Sequence, residues 1–344
     1  MFPERVLSGM RPTGLLHLGH YHGVLKNWVN LQEKLPCLFF VADWHALTTH
    51  YDSPQVIKES VWNMVIDWLA AGVDPEKATL FIQSKVPEHA ELHLLLSMNT
   101  PLSWLERVPT YKDQQDKLNE KDLATYGFLG YPLLQSADIL VYRATHVPVG
   151  EDQVPHIELT REIARRFNHF YSREKLIVKG EEIGCQPILL EPKALLTEAS
   201  KMPGLDGHKM SKSYNNILAL RETPDNVSLK IRRMPTDPAR VRRNDPGDPE
   251  KCPVWQLHQV YSDDKTRLWV DEGCKSANIG CIQCKEPIID AINQELAPIR
   301  DRAAIYTENP SQLRSIIDQG CDKARAMASE TMKDVRKYMG LDYS

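Results

Sequence analysis

The chain of 344 residues contains no apolar run approaching the roughly 18 uninterrupted residues that a membrane span needs. Met1-Phe2-Pro3-Glu4-Arg5 leads directly into a short apolar segment, without the charged-then-apolar pattern of a secretory leader. No internal repeat or low-complexity tract interrupts it. An excess of one charge is also missing: 42 Lys and Arg against 46 Asp and Glu leave a net −4, which gives no global attraction to nucleic acid. Cysteines number seven, an odd count, and a reducing cytosol disfavours structural disulfides. These absences lead us to expect a cytosolic protein of about two domains. The 42% apolar content suffices for a substantial core.

The first half alternates strand and helix signals. Val6-Leu7-Ser8-Gly9 reads as a strand, Leu18 to Leu35 as a helix, and Cys37 to Ala42 as a buried strand ending at Asp43. Ser53-Pro54 supplies an N-cap and a first-turn proline for a helix to Ala71, where Gly72 stops it. Thr79 to Gln83 is a further β run, followed by a helix after Pro87. Pro132 to Tyr142 reads as helix, Val147 to Gly150 as strand and Asp152 to Phe167 as helix. This rhythm predicts an α/β fold: a parallel, Rossmann-like sheet that binds ligands at the carboxyl ends of its strands. Beyond about Leu220 the β signals fade, and helical stretches run from Asn226 to the end, broken by a loop from Asp245 to Pro249.

Strand, loop and helix meet at Gly9-Met10-Arg11-Pro12-Thr13-Gly14-Leu15-Leu16-His17-Leu18-Gly19-His20. His17 and His20 share one face at a helix start, where imidazole N–H donors and backbone amides can meet a phosphate. Gly19 permits close approach of a nucleotide. For an arbitrary His-x-x-His, two surface histidines would be the better explanation. Far downstream, Gly207-His208-Lys209-Met210-Ser211-Lys212-Ser213 places two lysines among hydroxyls, able to fold over a triphosphate. The pair, in this order, is much more specific than either alone.

Together these segments resemble the two signature motifs of class I aminoacyl-tRNA synthetases, with Leu18 in place of the usual isoleucine. The resemblance implies that Arg11, Thr13, Gly19, His20, Gly150, Asp152, Lys209, Met210, Ser211 and Lys212 bind ATP, accompanied by Mg²⁺. It implies catalytic roles for His17, His20, Lys209 and Lys212, and Lys112 is added as a further phosphate contact. Ala42-Asp43-Trp44-His45-Ala46-Leu47-Thr48, Tyr131 to Tyr142 and Val147 to Gln153 resemble the tryptophanyl-tRNA synthetases over nearly all of residues 5 to 218. The amino-acid site would then comprise Ser8, His45, Tyr131, Gln135, Asp138 and Gln153, with Asp138 accepting the indole N–H. Many members of that family carry methionine at the position of Gln135. Read from the residues alone, Asp138 in an apolar helix needs a partner, and an ion pair with Arg143 would serve.

Cys252, Cys274, Cys281 and Cys284, separated by 21, 6 and 2 residues, form a metal-site pattern open to zinc or iron–sulfur. Cys37, Cys185 and Cys321 read as packing residues. A subset of tryptophanyl-tRNA synthetases bears a [4Fe-4S] cluster on such cysteines, and the chain resembles it, with a first gap shorter by one residue. Arg221, Lys230, Arg232, Arg233, Arg240, Arg242 and Arg243 form a basic stretch that suits phosphates or a solvated face.

The expectation is a cytoplasmic, homodimeric tryptophan–tRNA ligase. Its catalytic domain would span residues 1–218 and a helical anticodon-binding domain residues 219–344, with tRNA(Trp), L-tryptophan and ATP as partners and no membrane. A tyrosyl-tRNA synthetase and an inactive RNA-binding paralogue are the competing readings.

Overall fold

Short apolar runs, nearly devoid of charge, build the sheet. They are Val6–Met10 (β1), Cys37–Val41 (β2), Ala78–Ile82 (β3) and His146–Val149 (β4), with every residue of β2 buried. Lys175–Val178 (β5) and Glu181–Cys185 (β6) form a separate antiparallel pair, and Lys193–Leu196 (β7) completes the main sheet. The computed structural model describes residues 2–108, 125–172, 175–178, 181–197 and 202–343, without the side chains of 175–178, 181–185 and 213. Its five-stranded sheet runs β3-β2-β1-β4-β7, parallel at each pairing. The strand order reverses between β1 and β4, the place where such sheets open a crevice.

Helices cover both faces. In chain order the N-terminal ones are Leu18–His20 (α1), Lys26–Leu31 (α2), Asp43–His50 (α3), Pro54–Ala71 (α4), Glu88–Ser97 (α5) and Leu102–Glu106 (α6). Tyr126–Leu129 (α7), Tyr131–Val141 (α8) and Val154–Tyr171 (α9) follow. The C-terminal ones are Pro224–Arg233 (α10), Pro253–Tyr261 (α11), Asp264–Lys275 (α12), Cys281–Glu308 (α13) and Pro310–Met339 (α14). Helix α13 packs on α4, where the Arg302 Nε donates to the Ala70 carbonyl at 2.6 Å. Helix α14 lies along β3, the outermost strand, and covers its free edge. Gly320 makes that contact possible, because a Cβ there would stand 1.8 Å from the Leu80 carbonyl oxygen. One apolar core therefore runs from Val6 through Val335, across both halves of the chain.

Several expectations change. The helix expected over Leu18 to Leu35 is α1, a π-helical turn at Tyr21–Leu25 and α2, ending at Leu31. The extra residue of a π turn shifts every later side chain round the axis, which periodicity alone does not reveal. Helix α4 has the expected bounds, and Gly72 ends it at φ +108°. Ser53, however, turns its hydroxyl to Asp52 rather than capping the helix. Strands β5, β6 and β7 were not anticipated. Among the described residues no helix is long and apolar enough to cross a membrane.

Candidate active site

At the β1–β4 crevice the sheet opens a cavity of about 400 Å³. Ser8, His45, Tyr131, Gln135, Asp138 and Gln153, all expected at an amino-acid site, line it, together with Arg11 and Gly150. Gly23, Val24 and Asn27, on the π turn and α2, line the same space. His156, which the sequence did not single out, closes one side; burial first, then the charge of His45, pushes its pKa down to about 4. Asp152 is exposed beside the cavity and accepts a hydrogen bond from the Gln153 amide at 2.8 Å. A second cavity of about 420 Å³ is lined by Thr13, His17, Gly19, His20, Met202, Lys209, Met210, Ser211 and Lys212. The loop after β1 touches both, with Arg11 facing the first and Thr13 the second.

Backbone bonds fix the chemistry of the histidine pair. His17 caps α1, its Nδ1 accepting from the Gly19 N–H at 3.1 Å, while His20 Nδ1 accepts from the His17 N–H at 3.3 Å. With both Nδ1 atoms accepting, the proton of each neutral ring resides on Nε2. Burial, then the Lys212 charge, pushes the His17 pKa down to about 4. His20 is driven well below its ordinary value by burial, then by His17 and Lys212. Both are neutral N–H donors at pH 7, not cations.

The lysine loop is tied to the histidine loop. Leu18 N donates to the Leu218 carbonyl and Leu220 N to the Leu16 carbonyl, at 3.0 and 3.1 Å. Lys212 Nζ reaches across to the carbonyls of Thr13 and Gly14 at 3.1 and 3.0 Å. Burial lowers its pKa to about 8, against the raising effect of Asp67. Asn216, buried and unforeseen, shapes the loop: its Oδ1 accepts from Ser211 N at 2.7 Å and its amide donates to Lys209 O at 3.2 Å. Lys209 is exposed. Lys112 lies outside the described residues.

Asp138 does not pair with Arg143. That arginine lies on Asp334 and the Ile188 carbonyl. The Asp138 carboxylate, 1% exposed, instead accepts from His45 Nε2 at 2.7 Å, Gln83 Nε2 at 2.7 Å and His89 Nδ1 at 2.6 Å. Burial alone would raise its pKa, but the charges and hydrogen bonds of His45 and His89 hold it below the usual carboxylate range. Gln83 and His89 escaped notice in the sequence because no local pattern marks them.

The family described as tRNA synthetases class I (W and Y) matches residues 3–297. The chain belongs to that family. A tryptophan–tRNA ligase of Ralstonia nicotianae is 61% identical, covering all of both chains. Another, from Thermotoga maritima, is 52% identical over 98% of this chain and 99% of its own. A crystal structure of the Campylobacter jejuni tryptophanyl-tRNA synthetase, complexed with ADP and tryptophan, superposes with a TM-score of 0.84 at 32% identity. It covers 98% of this chain and all of that one.

In this synthetase the four clustered cysteines come from separate elements. Cys252 precedes α11, Cys274 lies near the end of α12, and Cys281 and Cys284 occupy the first turn of α13. Among the described residues, no three or more His, Cys, Asp or Glu side chains are drawn together as a set that could hold a metal ion. Burial pushes the Cys284 pKa up to about 12, and the charges of Cys252, Cys274 and Cys281 add to it. Arg240 Nη1 donates to Cys274 Sγ at 3.7 Å. The six cysteines with described side chains are free thiols, and Cys37 and Cys321 are packed in the core as expected. The side chain of Cys185 lies outside the described set. The basic stretch is partly consumed internally, since Arg221, Lys230 and Arg232 are ion-paired and Arg240 is buried; Arg233, Arg242 and Arg243 are exposed.

The π turn joins the site to the C-terminal helices. While Gly23 and Val24 line the first cavity, His22 and Lys26 reach the α13 residue Glu295 at 2.9 and 2.8 Å, and the Tyr261 hydroxyl donates to the same carboxylate at 2.9 Å. Burial opposes ionisation of Glu295, but the His22 and Lys26 contacts outweigh it and bring the pKa down to about 2. A carboxylate depressed in the fold stabilises above its unfolded value and loses that contribution as pH falls through its folded value. Glu295→Gln should therefore cost about 2–3 kcal/mol of unfolding free energy at pH 7 in urea titrations. That gap should shrink as pH falls from about 4.5 toward 2. A gap constant with pH would contradict the assignment.

Proposed function

We propose that the two adjoining cavities hold the two substrates of a tryptophan–tRNA ligase. The enzyme activates L-tryptophan with ATP to tryptophanyl-adenylate and pyrophosphate, then transfers tryptophan to the 2′-hydroxyl of the terminal adenosine of tRNA(Trp). One observation carries the reading. A cavity lined by an ionised, buried carboxylate abuts a cavity lined by the neutral His17 and His20 and by Lys209 and Lys212. The first suits an aromatic side chain with a single N–H, and the second suits a triphosphate.

In this reading the indole occupies the first cavity with its N–H toward Asp138. Tyr131 and Gln153 hold the substrate ammonium, and Ser8, His45 and Gln135 line the pocket. The carboxylate is thereby placed near the β1 loop, from which it attacks the α-phosphate in line. Arg11, Thr13, Gly19, Gly150, Asp152, Met210 and Ser211 contribute to the ATP site, and Lys112 serves as an added phosphate contact. His17 and His20 donate Nε2–H bonds to phosphate without adding charge. Lys209 and Lys212 supply the charge that pyrophosphate develops as it leaves. Lys212 exchanges the Thr13 and Gly14 carbonyls for phosphate oxygens, so the ammonium is already positioned beside the reacting groups. Rate acceleration comes from positioning and fixed electrostatics, and Mg²⁺ travels with ATP.

Residues 1–218 form the catalytic part and residues 219–344 the part that meets the anticodon, with Arg233, Arg242 and Arg243 available to phosphates. A cytoplasmic homodimer is the assembly the family resemblance supports. Cys252, Cys274, Cys281 and Cys284 hold a [4Fe-4S] cluster, zinc being the alternative. Support comes from the mutual influence of the four thiols and from cationic neighbours, Arg240 and Lys285, which suit a ligand set of thiolates. When bound, the cluster supplies a fixed charge and a crosslink among α11, α12 and α13.

ATP–pyrophosphate exchange tests the activity: tryptophan should support it and tyrosine should not, whereas exchange with tyrosine alone, or none from folded protein, overturns the proposal. In the same assay kcat/KM for ATP should fall as pH rises through about 8, where Lys212 loses its proton. Lys212→Arg should lack that limb on a plateau reduced by about 10-fold to 100-fold. An unchanged limb would contradict the assigned role. Anaerobically purified protein should carry about four irons and four sulfides per chain; stoichiometric zinc without iron would reject the cluster.

A further inference from the structure

Asp138 is held very unequally on its two sides. Its Oδ1 accepts two hydrogen bonds, from Gln83 Nε2 and His89 Nδ1, and both donors are completely buried. Its Oδ2 accepts from His45, which lines the cavity with it. Each inner donor is itself oriented from behind. Gln83 Oε1 accepts the Trp44 backbone N–H at 3.2 Å, which fixes the amide with its NH₂ toward Asp138. His89 Nε2 stands 2.7 Å from the Tyr142 hydroxyl. Burial, with the charges of Asp138 and Glu88 adding to it, raises the Tyr142 pKa well above its ordinary value, so the phenol keeps its proton. His89 is thereby held between the Tyr142 hydroxyl and Asp138, with its Nδ1 directed at the carboxylate.

We propose that Tyr142, His89 and Gln83 are positioning residues for substrate selection, which hold Oδ1 of Asp138 inward and present Oδ2 to the cavity. The proposal rests on the reading of Asp138 as the indole acceptor and deepens it. A carboxylate oxygen has two lone-pair sites, so Oδ2 accepts His45 and still has one site for a substrate N–H. With Oδ1 saturated by the protein, the carboxylate cannot rotate to compensate when a substrate brings no donor. A buried acceptor left short of a partner is what penalises such an analogue. The selecting element is thus not Asp138 alone but a chain drawn from three parts of the fold. Gln83 follows β3, His89 lies on α5, and Tyr142 directly follows α8, the helix that carries Asp138.

The test uses full-length enzyme and two substrates, tryptophan and its isostere in which sulfur replaces the ring N–H, a benzothienyl-alanine. The readout is the ratio of their kcat/KM values in pyrophosphate exchange. The native enzyme should favour tryptophan by about 100-fold or more. His89→Leu should reduce that ratio at least about tenfold, through a higher KM for tryptophan with KM for ATP unchanged. His89→Asn, whose amide replaces the Nδ1–H donor, should recover most of it, and Tyr142→Phe should lower it by about threefold. Asp138→Asn separates the two levels of the argument. If it retains the native ratio, Asp138 does not read the indole and the relay falls with it. If it loses the ratio while folded His89→Leu and Tyr142→Phe both keep it within about twofold, the relay alone is overturned. Circular dichroism checks folding, and should His89→Leu fail to fold, an unchanged ratio in Tyr142→Phe overturns the relay by itself.

Discussion

A carboxylate buried against the cavity between β1 and β4 is the constraint around which this enzyme's first cavity is arranged. Leaving water costs an ion several kcal/mol even after the protein relaxes, and an isolated one would take up a proton. Asp138 stays ionised because three side chains converge on it, and that convergence dictates much of the surrounding fold. The turn from β2 into α3 delivers His45, the end of β3 delivers Gln83, and α5 delivers His89.

The second cavity follows the opposite principle. There the histidines are kept neutral and the charge is placed on lysines carried by a loop. His17 and His20 spend one ring nitrogen each on backbone N–H groups, which leaves a directed donor and no cation to be desolvated. Lys212, half-buried against two carbonyls, is held at the mouth of the same cavity. An anion arriving there meets donors that need no reorganisation, the condition under which fixed dipoles act most strongly.

Much of this was legible in the sequence, and what was not has a common cause. The loop after β1, the lysine loop and helix α4 carry their signals locally, in glycine, proline and histidine at fixed offsets. Asp138 was identifiable as a carboxylate in an apolar helix and His45 as a residue near it, but Gln83, His89 and the Tyr142 behind His89 were not, because they look like ordinary members of a strand end and two helices. Short β5, β6 and β7 lack the length for an alternating pattern, and the π turn leaves the apolar spacing nearly unchanged. The docking of α13 and α14 was equally invisible. It depends on Gly320 against the Leu80 backbone and on Glu295 meeting His22 and Lys26, contacts between residues hundreds of positions apart.

Those long-range contacts join what the sequence would divide. A continuous core passes from the sheet into the C-terminal helices, and the turn that follows the histidine pair grips α13 on its far side. The two cavities and the helical region thus share one framework, with Asp138 at its most constrained point. The most direct measurement is calorimetric titration of tryptophan, without ATP, into the native protein and into Asp138→Asn. The account predicts that the substitution weakens binding by about 100-fold; equal affinity for the two proteins would contradict it.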